Sequence, residues 1–165
     1  MENNNSKTNR ENINKNLGIN DPPLTIGNLS ASKEKRPDSI KTILFVDDHK
    51  FIIRNLRNKL EAIGYKVYSA YNGQEAVDEY FKIKPDIVFL DVVMPVKDGI
   101  TALKEIKRIV PTSKIVMMSG LGFDDEIAEN IKILGLVEKG ADGFLIKPVN
   151  VVSINKKVWD LAVNS

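Results

Sequence analysis

An α/β fold, a doubly wound parallel sheet with helices on both faces, is predicted by three features of the sequence. From Thr42 onward, short apolar runs alternate with longer stretches of helical period, five times over. Two of those runs, Ile43-Leu44-Phe45-Val46 and Ile87-Val88-Phe89-Leu90, are apolar without interruption, as strands buried on both faces are. The runs then end in polar or charged residues, at the edge where open α/β sheets place their ligand chemistry. Alternating strands and helices imply parallel pairing through right-handed crossovers.

Bulk properties leave room for this fold and exclude several others. With 165 residues the chain can hold one domain, at the usual ~100–200 residues each. Cysteine is absent, so disulfides and thiolate metal sites are excluded, and a single histidine rules out a multi-histidine site within one chain. No apolar run reaches the ~20 residues of a membrane span, so no membrane insertion is expected. Met1-Glu2-Asn3-Asn4-Asn5 lacks the apolar region of a signal peptide, so the expected location is the cytoplasm. A net charge of +2 is too small to argue for direct nucleic-acid binding.

Residues 1–38 differ from the rest. They are rich in Asn, Ser and Lys, carry Pro22-Pro23, and show no apolar period. Such a segment buries too little apolar surface to offset its ordering entropy, and a disordered tail is expected there. The domain is expected over 39–165, with no output domain after it.

The elements follow in order. The first strand, 43–46, runs into Asp47-Asp48. Ile52, Ile53, Leu56, Leu60 and Ile63 recur at helical spacing, and Gly64 closes that helix. Residues 65–70 alternate and are more polar, which suits a strand nearer an edge. Asn72-Gly73 opens a helix with Ala76, Val77, Tyr80 and Phe81 on one face. Pro85-Asp86 breaks to the central strand, 87–90, which ends in Asp91. A third helix follows Asp98-Gly99, with Ile100, Leu103, Ile106 and Val110 inward, and Pro111 stops it. The fourth strand, 114–118, ends in Ser119-Gly120. A helix is predicted over 124–138. Gly140-Ala141-Asp142-Gly143 leads to the fifth strand, 144–146, ending in Lys147-Pro148. A last helix over 150–163 places Val151, Ile154, Val158, Leu161 and Ala162 at apolar positions. Trp159 reads as a packing residue on it.

In a parallel sheet the C-terminal strand ends share one edge. Here they bring Asp47, Asp48, Asp91, Ser119 and Lys147. Each has a plain structural alternative. Asp47 or Asp48 can cap the following helix, Asp91 can cap its loop, Ser119 can be a turn residue, and Lys147 can be solvated. His49 reads as an exposed first-turn residue. Taken together, three carboxylates repel unless a cation sits among them. Oxygen ligands with room for water suit Mg²⁺. A lysine offers a point charge to a phosphoryl oxygen, and a hydroxyl offers a hydrogen bond. That is equipment for moving a phosphoryl group onto a carboxylate.

The ordered set resembles the receiver domain of two-component response regulators, CheY-like in layout. It comprises Asp47-Asp48, Asp91 with Met94-Pro95 and Asp98-Gly99, Ser119-Gly120, and Phe144-Leu145-Ile146-Lys147-Pro148. The resemblance covers residues from about 41 to 163 and implies a flavodoxin-like sheet of order 2-1-3-4-5. It implies that Asp91 takes phosphate, as a 4-aspartylphosphate, from a sensor histidine kinase or phosphotransfer protein. It implies that Asp47, Asp48, Asp91 and the backbone carbonyl of Val93 hold Mg²⁺, and that Lys147 and Ser119 engage phosphoryl oxygens. Lys147–Pro148 becomes a candidate cis bond. Ser119 and Phe144 would relay the event to a protein-binding surface of the fourth helix, fifth strand and fifth helix. The downstream target is unknown.

Two departures from the family pattern matter. The segment between Ser119 and Lys147 is longer than usual by more than one helical turn, ~3.6 residues, which alters the docking face. The positions that tune dephosphorylation are Val93 and Leu121. Both are apolar and cannot orient an attacking water, so slow autodephosphorylation is expected. The leading expectation is a stand-alone receiver, a signalling domain that catalyses only its own phosphoryl transfer and dephosphorylation. A phosphorelay intermediate or phosphate sink is the alternative. An aspartyl-nucleophile phosphatase is more remote, because that class wants a second acid where Val93 stands.

Overall fold

The computed structural model describes residues 36–120, 135 and 137–163. Leu121, residues 1–35 of the expected tail and nearly all of the helix expected over 124–138 lie outside the described residues. Five strands form one parallel sheet: β1 (Thr42–Val46), β2 (Lys66–Ala70), β3 (Ile87–Asp91), β4 (Ile115–Ser119) and β5 (Gly143–Ile146). Their order is β2-β1-β3-β4-β5, the order the resemblance implies. The described helices are α1 (Lys50–Ala62), α2 (Gly73–Ile83), α3 (Gly99–Ile109) and α4 (Val151–Val163).

The two-residue period of the strands sorts the core into two layers. Ile43, Phe45, Ile87, Phe89, Val116 and Met118 face α1 and α4, where Ile53, Leu56, Leu60, Ile154 and Val158 meet them. Leu44, Val46, Val88, Leu90, Ile115 and Met117 face the other way, toward Ala76, Val77 and Tyr80 of α2 and Ala102, Leu103 and Ile106 of α3. Every residue of β3 and β4 is buried, which explains their unbroken apolar runs. The edge strands β2 and β5 are only partly covered.

Local chemistry sets the element ends. After α1, the Gly64 N–H donates to Glu61 O at 3.0 Å and the Tyr65 N–H to Leu60 O at 3.2 Å. That pair of bonds is the Schellman closure, and Gly64 supplies its left-handed residue at φ +100°. Asn72 caps α2 by accepting from Glu75 N at 2.9 Å, and Asp98 caps α3 by accepting from Thr101 N at 2.9 Å. Before α4, the Asn150 side chain accepts from Ser153 N at 2.9 Å. Ahead of β1, Arg36 Nε donates to Gly64 O at 2.7 Å, Pro37 is buried, and Ile40 belongs to the core.

The helix faces follow the predicted spacing, with Ile52, Ile63, Phe81, Ile100, Val110, Val151, Leu161 and Ala162 packed at the margins of the two layers. Trp159 departs from its expected packing role. It is 40% exposed, because it sits one position past Val158 and so rotates off the buried face of α4. Among the described residues no helix is long and apolar enough to cross a membrane.

Candidate functional site

The C-terminal edge of the sheet gathers charge. Asp47 directly follows β1, Asp91 is the last residue of β3, and Lys147 directly follows β5. Adjacent parallel strands in register bring these ends together. Lys147 Nζ donates to Asp91 Oδ2 at 2.6 Å and lies 2.7 Å from Asp47 Oδ2. The Asp47 contact is an ion pair without hydrogen-bond geometry, and Asp47 Oδ2 is buried with no hydrogen-bond donor. Asp47 is fully buried and Asp91 nearly so. One ammonium therefore serves two buried carboxylates, a shortfall of positive charge in a poorly hydrated place.

The electrostatics reflect that shortfall. Burial pushes the Asp91 carboxyl above its ordinary pKa; Lys147 pulls it down, the Asp47 charge pushes it up, and the net direction is upward. Burial alone would favour neutral Lys147, but its close contacts with the Asp47 and Asp91 carboxylates and their charges outweigh that and hold its pKa above the ordinary lysine value.

Asp48 joins through a residue that sequence reasoning passed over. His49 is the N-cap of α1 but makes no side-chain capping bond. Neither Asp47 nor Asp48 occupies the cap position. Instead His49 Nδ1 lies 3.1 Å from Asp47 Oδ1 and 2.7 Å from Asp48 Oδ1, with its ring side largely open at 66% exposure. Asp47 Oδ1 also accepts the His49 backbone N–H at 2.8 Å. The only hint in the sequence was adjacency to the acidic pair.

The loop from Val92 to Asp98 fixes Asp91 from behind. The Val92 N–H donates to Met118 O at 2.8 Å, the Gly99 N–H to Val92 O at 3.0 Å, and buried Met94 packs into the α2/α3 layer. The Val93 N–H approaches Asp91 Oδ1 at 3.4 Å, while the Val93 side chain is exposed. A Cβ at Gly99 would stand 1.9 Å from Asp91 O, so only glycine lets α3 begin this close to β3. Gly73, at the start of α2, is similarly confined against Lys97 O, where a Cβ would stand at 2.4 Å.

Ser119 ends β4 beside the cluster. Its carbonyl accepts the Lys147 N–H at 2.8 Å, and the residue is buried. By strand parity Ser119 continues the Ile115–Met117 face, the α2/α3 side. Phe144, paired in register with Met117, packs half-buried on that same layer. Phe144 is thus not in the charged pocket; it shares a sheet face with Ser119. The Lys147–Pro148 bond is cis, as the resemblance implied.

The chain belongs to the response regulator receiver domain family, whose model matches residues 43–158. It is a CheY-like receiver of two-component signalling, the class of signalling domain that accepts a phosphoryl group. A chemotaxis protein CheY of Thermotoga maritima is 41% identical over 109 residues, 66% of this chain and 86% of that one. A CheY of Halobacterium salinarum is 36% identical over 121 residues, 73% of this chain and 96% of that one. Among solved structures, a CheX–CheY–BeF3–Mg complex of Borrelia burgdorferi matches with TM-score 0.66 and 30% identity, covering 74% of this chain and 89% of that one.

Receivers bind Mg²⁺ at an acidic pocket, and the residues here fit such an ion. Asp47, Asp48 and His49 offer ligand atoms within 4.8 Å of one another, and the buried Asp47 Oδ2 has the Lys147 ion pair but no hydrogen bond. Oxygen donors of this kind are what Mg²⁺ takes.

Proposed function

We propose that this chain is a response regulator whose Asp91 receives a phosphoryl group from a phosphohistidine donor, either a sensor kinase or a phosphotransfer protein. The observation that carries the proposal is Lys147 Nζ at 2.6 Å from Asp91 Oδ2 and 2.7 Å from Asp47 Oδ2. An ammonium placed there offsets charge on the incoming phosphoryl oxygens without reorganising. In the reaction one Asp91 oxygen attacks phosphorus, the P–N bond to the donor histidine breaks, and the nitrogen keeps the electron pair. Lys147 must then exchange a carboxylate oxygen for a phosphoryl oxygen. Mg²⁺, when bound, neutralises charge on the transferred group, and Asp47, Asp48, Asp91 and the Val93 carbonyl are the residues that would hold it.

The added charge, about −1.5 to −2 with three acceptor oxygens, would draw the Ser119 hydroxyl. Because Ser119 and Phe144 share one sheet face, a shift at the first opens or closes room at the second. The readout would be a protein-binding surface around β5, α4 and the segment before β5, with no DNA contact of its own. A cytoplasmic location belongs to the same reading. Passing phosphate onward in a relay uses the same chemistry.

Incubation with Mg²⁺ and acetyl phosphate tests the assignment. A phosphate adduct on the wild type and none on Asp91→Asn is the expected result; an adduct surviving in that variant sinks it. The exposed, apolar Val93 gives an attacking water no hydrogen-bond partner, so the adduct should be long-lived. Val93→Asn is expected to shorten its half-life several-fold, and an unchanged half-life would count against the water-orienting argument.

A further inference from the structure

The outer face of α1 carries a row of side chains that the core does not use. Phe51, Asn55 and Lys59 follow at four-residue steps and so lie on one face of the helix. All three are exposed, Phe51 at 79%. The next row inward, Ile52 and Leu56, packs on the layer shared by α1 and α4. A cavity of about 420 Å³ opens against these two rows, and Pro148, Val149 and Asn150, in the turn from β5 to α4, form its other side.

The lining is one-sided in its chemistry. Apolar side chains dominate it, and no carboxylate borders it. Among the described residues the Lys59 ammonium has no ion pair and the Asn55 amide has no hydrogen bond. Lys147 also borders the cavity, but its ammonium is already held by Asp47 and Asp91, 2.7 and 2.6 Å away. The uncommitted charge at the rim is therefore that of Lys59. The negative end of α1 would by itself explain a basic residue in the last turn. It does not explain an exposed phenylalanine and an unbonded amide in the same row, above a concave apolar floor.

Size decides between occupants. A stable protein–protein interface takes about 20–30 residues a side, whereas nine border this cavity. Its volume falls instead in the range of small-molecule sites, ~300–1,000 Å³. The Phe51 and Lys59 backbones are about 12 Å apart along α1, eight residues at ~1.5 Å each. Helical side chains lean toward the N-terminus, which brings the ammonium nearer the ring. We propose that this cavity binds a small soluble amphipathic carboxylate, an apolar body of one or two rings carrying a single anionic group. The rings lie on Ile52, Leu56 and Val149 under Phe51, and the carboxylate meets Lys59 with the Asn55 amide beside it. The site does not use Asp91, so it stands or falls independently of the phosphoryl chemistry.

The test titrates the full chain with naphthoate, a bicyclic carboxylate, and with naphthamide, the same rings without the charge, followed by amide NMR spectra. At millimolar naphthoate, saturable shifts should gather on Phe51, Ile52, Asn55, Leu56, Lys59 and Val149. Naphthamide should bind about fivefold more weakly, the upper end for an exposed ion pair. Lys59→Gln should bring naphthoate down to the naphthamide level and leave naphthamide unchanged. Phe51→Ala should weaken both probes about tenfold, since both lose the aromatic contact. Each substituted side chain is exposed, so melting temperatures should hold, and the comparison of the two probes on the wild type needs no variant. The proposal is overturned if no saturable shifts appear at those residues, if the two probes bind equally, or if Lys59→Gln keeps the wild-type preference.

Discussion

Asp86 and Asp91 bracket the same five-residue strand, one at each end of β3. Asp86, at the entry, is a satisfied anion. Its Oδ2 accepts from Lys41 N at 2.8 Å, Thr42 N at 2.8 Å and Thr42 Oγ1 at 2.7 Å. Burial pushes its pKa up, but those bonds and the Lys114 charge outweigh burial and hold the carboxyl below the usual range. Asp142 is likewise bonded at the next entry, its Oδ2 accepting from Ile115 N at 2.8 Å and Lys107 Nζ at 2.7 Å. Asp91, at the exit, has one short ammonium contact shared with Asp47 and is pushed the other way. The same residue type is an anchor at one edge and an under-neutralised acceptor at the other. Whether N–H groups outnumber neighbouring acids decides which role it takes.

The sharpest way to break this comparison is through backbone at the exit edge. In Gly99→Ala the new methyl would stand 1.9 Å from Asp91 O, against main chain that no rotamer can move aside. Overpacking of well-filled sites costs about 1–3 kcal/mol, and this contact belongs at or above the upper figure. The expected result is a loss of about 3 kcal/mol in urea unfolding, together with loss of phosphate uptake because Asp91 is displaced. An unaltered midpoint would mean that α3 is not held against β3 as described.

Next come the two aspartates themselves, as a pair. Asp86→Ala strands two backbone N–H groups and a hydroxyl. At about 1 kcal/mol per bond, discounted for solvent at this exposed site, a loss of about 2 kcal/mol is expected. Asp91→Asn should be neutral or gain up to about 1 kcal/mol, since it removes charge where charge is poorly compensated while Lys147 keeps Asp47. Equal losses from both variants would erase the distinction between the edges. The Asp86 effect also has a pH signature. A carboxyl whose folded pKa lies below its unfolded value, about 3.9, stabilises the fold above that value. The contribution fades as pH falls through the folded pKa. The gap in Tm between wild type and Asp86→Ala should therefore be full at pH 7 and close in acid.

The same contrast explains what was legible beforehand. Element types and buried faces follow from periodicity, which burial enforces at Ile87–Leu90 and at the α1 positions 53, 56 and 60, whereas the strand order came only with the family resemblance. Asp47, Asp91 and Lys147 were legible because a charged residue ending an apolar run breaks the pattern. Asp86 and Asp142 read only as breaks before strands, since each bonds to residues 44 or 27 positions away and leaves no local trace. His49 was hidden for the opposite reason. As an exposed polar residue at a helix start it breaks no rule, and only side-chain geometry turns its ring onto the acids.

The smallest effect sharpens the account of the exit edge. Val96 lies in the loop behind Asp91 at φ +69°, a region that β-branched residues rarely adopt, with its side chain 87% exposed. Nothing is gained by burying that side chain, so the strain is carried by the loop's other ties. The Lys97 N–H donates to Pro95 O at 2.8 Å, the Gly73 N–H to Lys97 O at 2.9 Å, and Lys97 Nζ bonds Glu105 at 2.5 Å. Glycine at position 96 relieves the strain, worth about 1–3 kcal/mol, but adds unfolded-state freedom that costs about 0.4–1 kcal/mol. A net gain of about 1 kcal/mol in unfolding free energy is the expected outcome for Val96→Gly. A net loss would show that valine is favoured at this conformation after all, and that the loop's ties do not dictate its backbone.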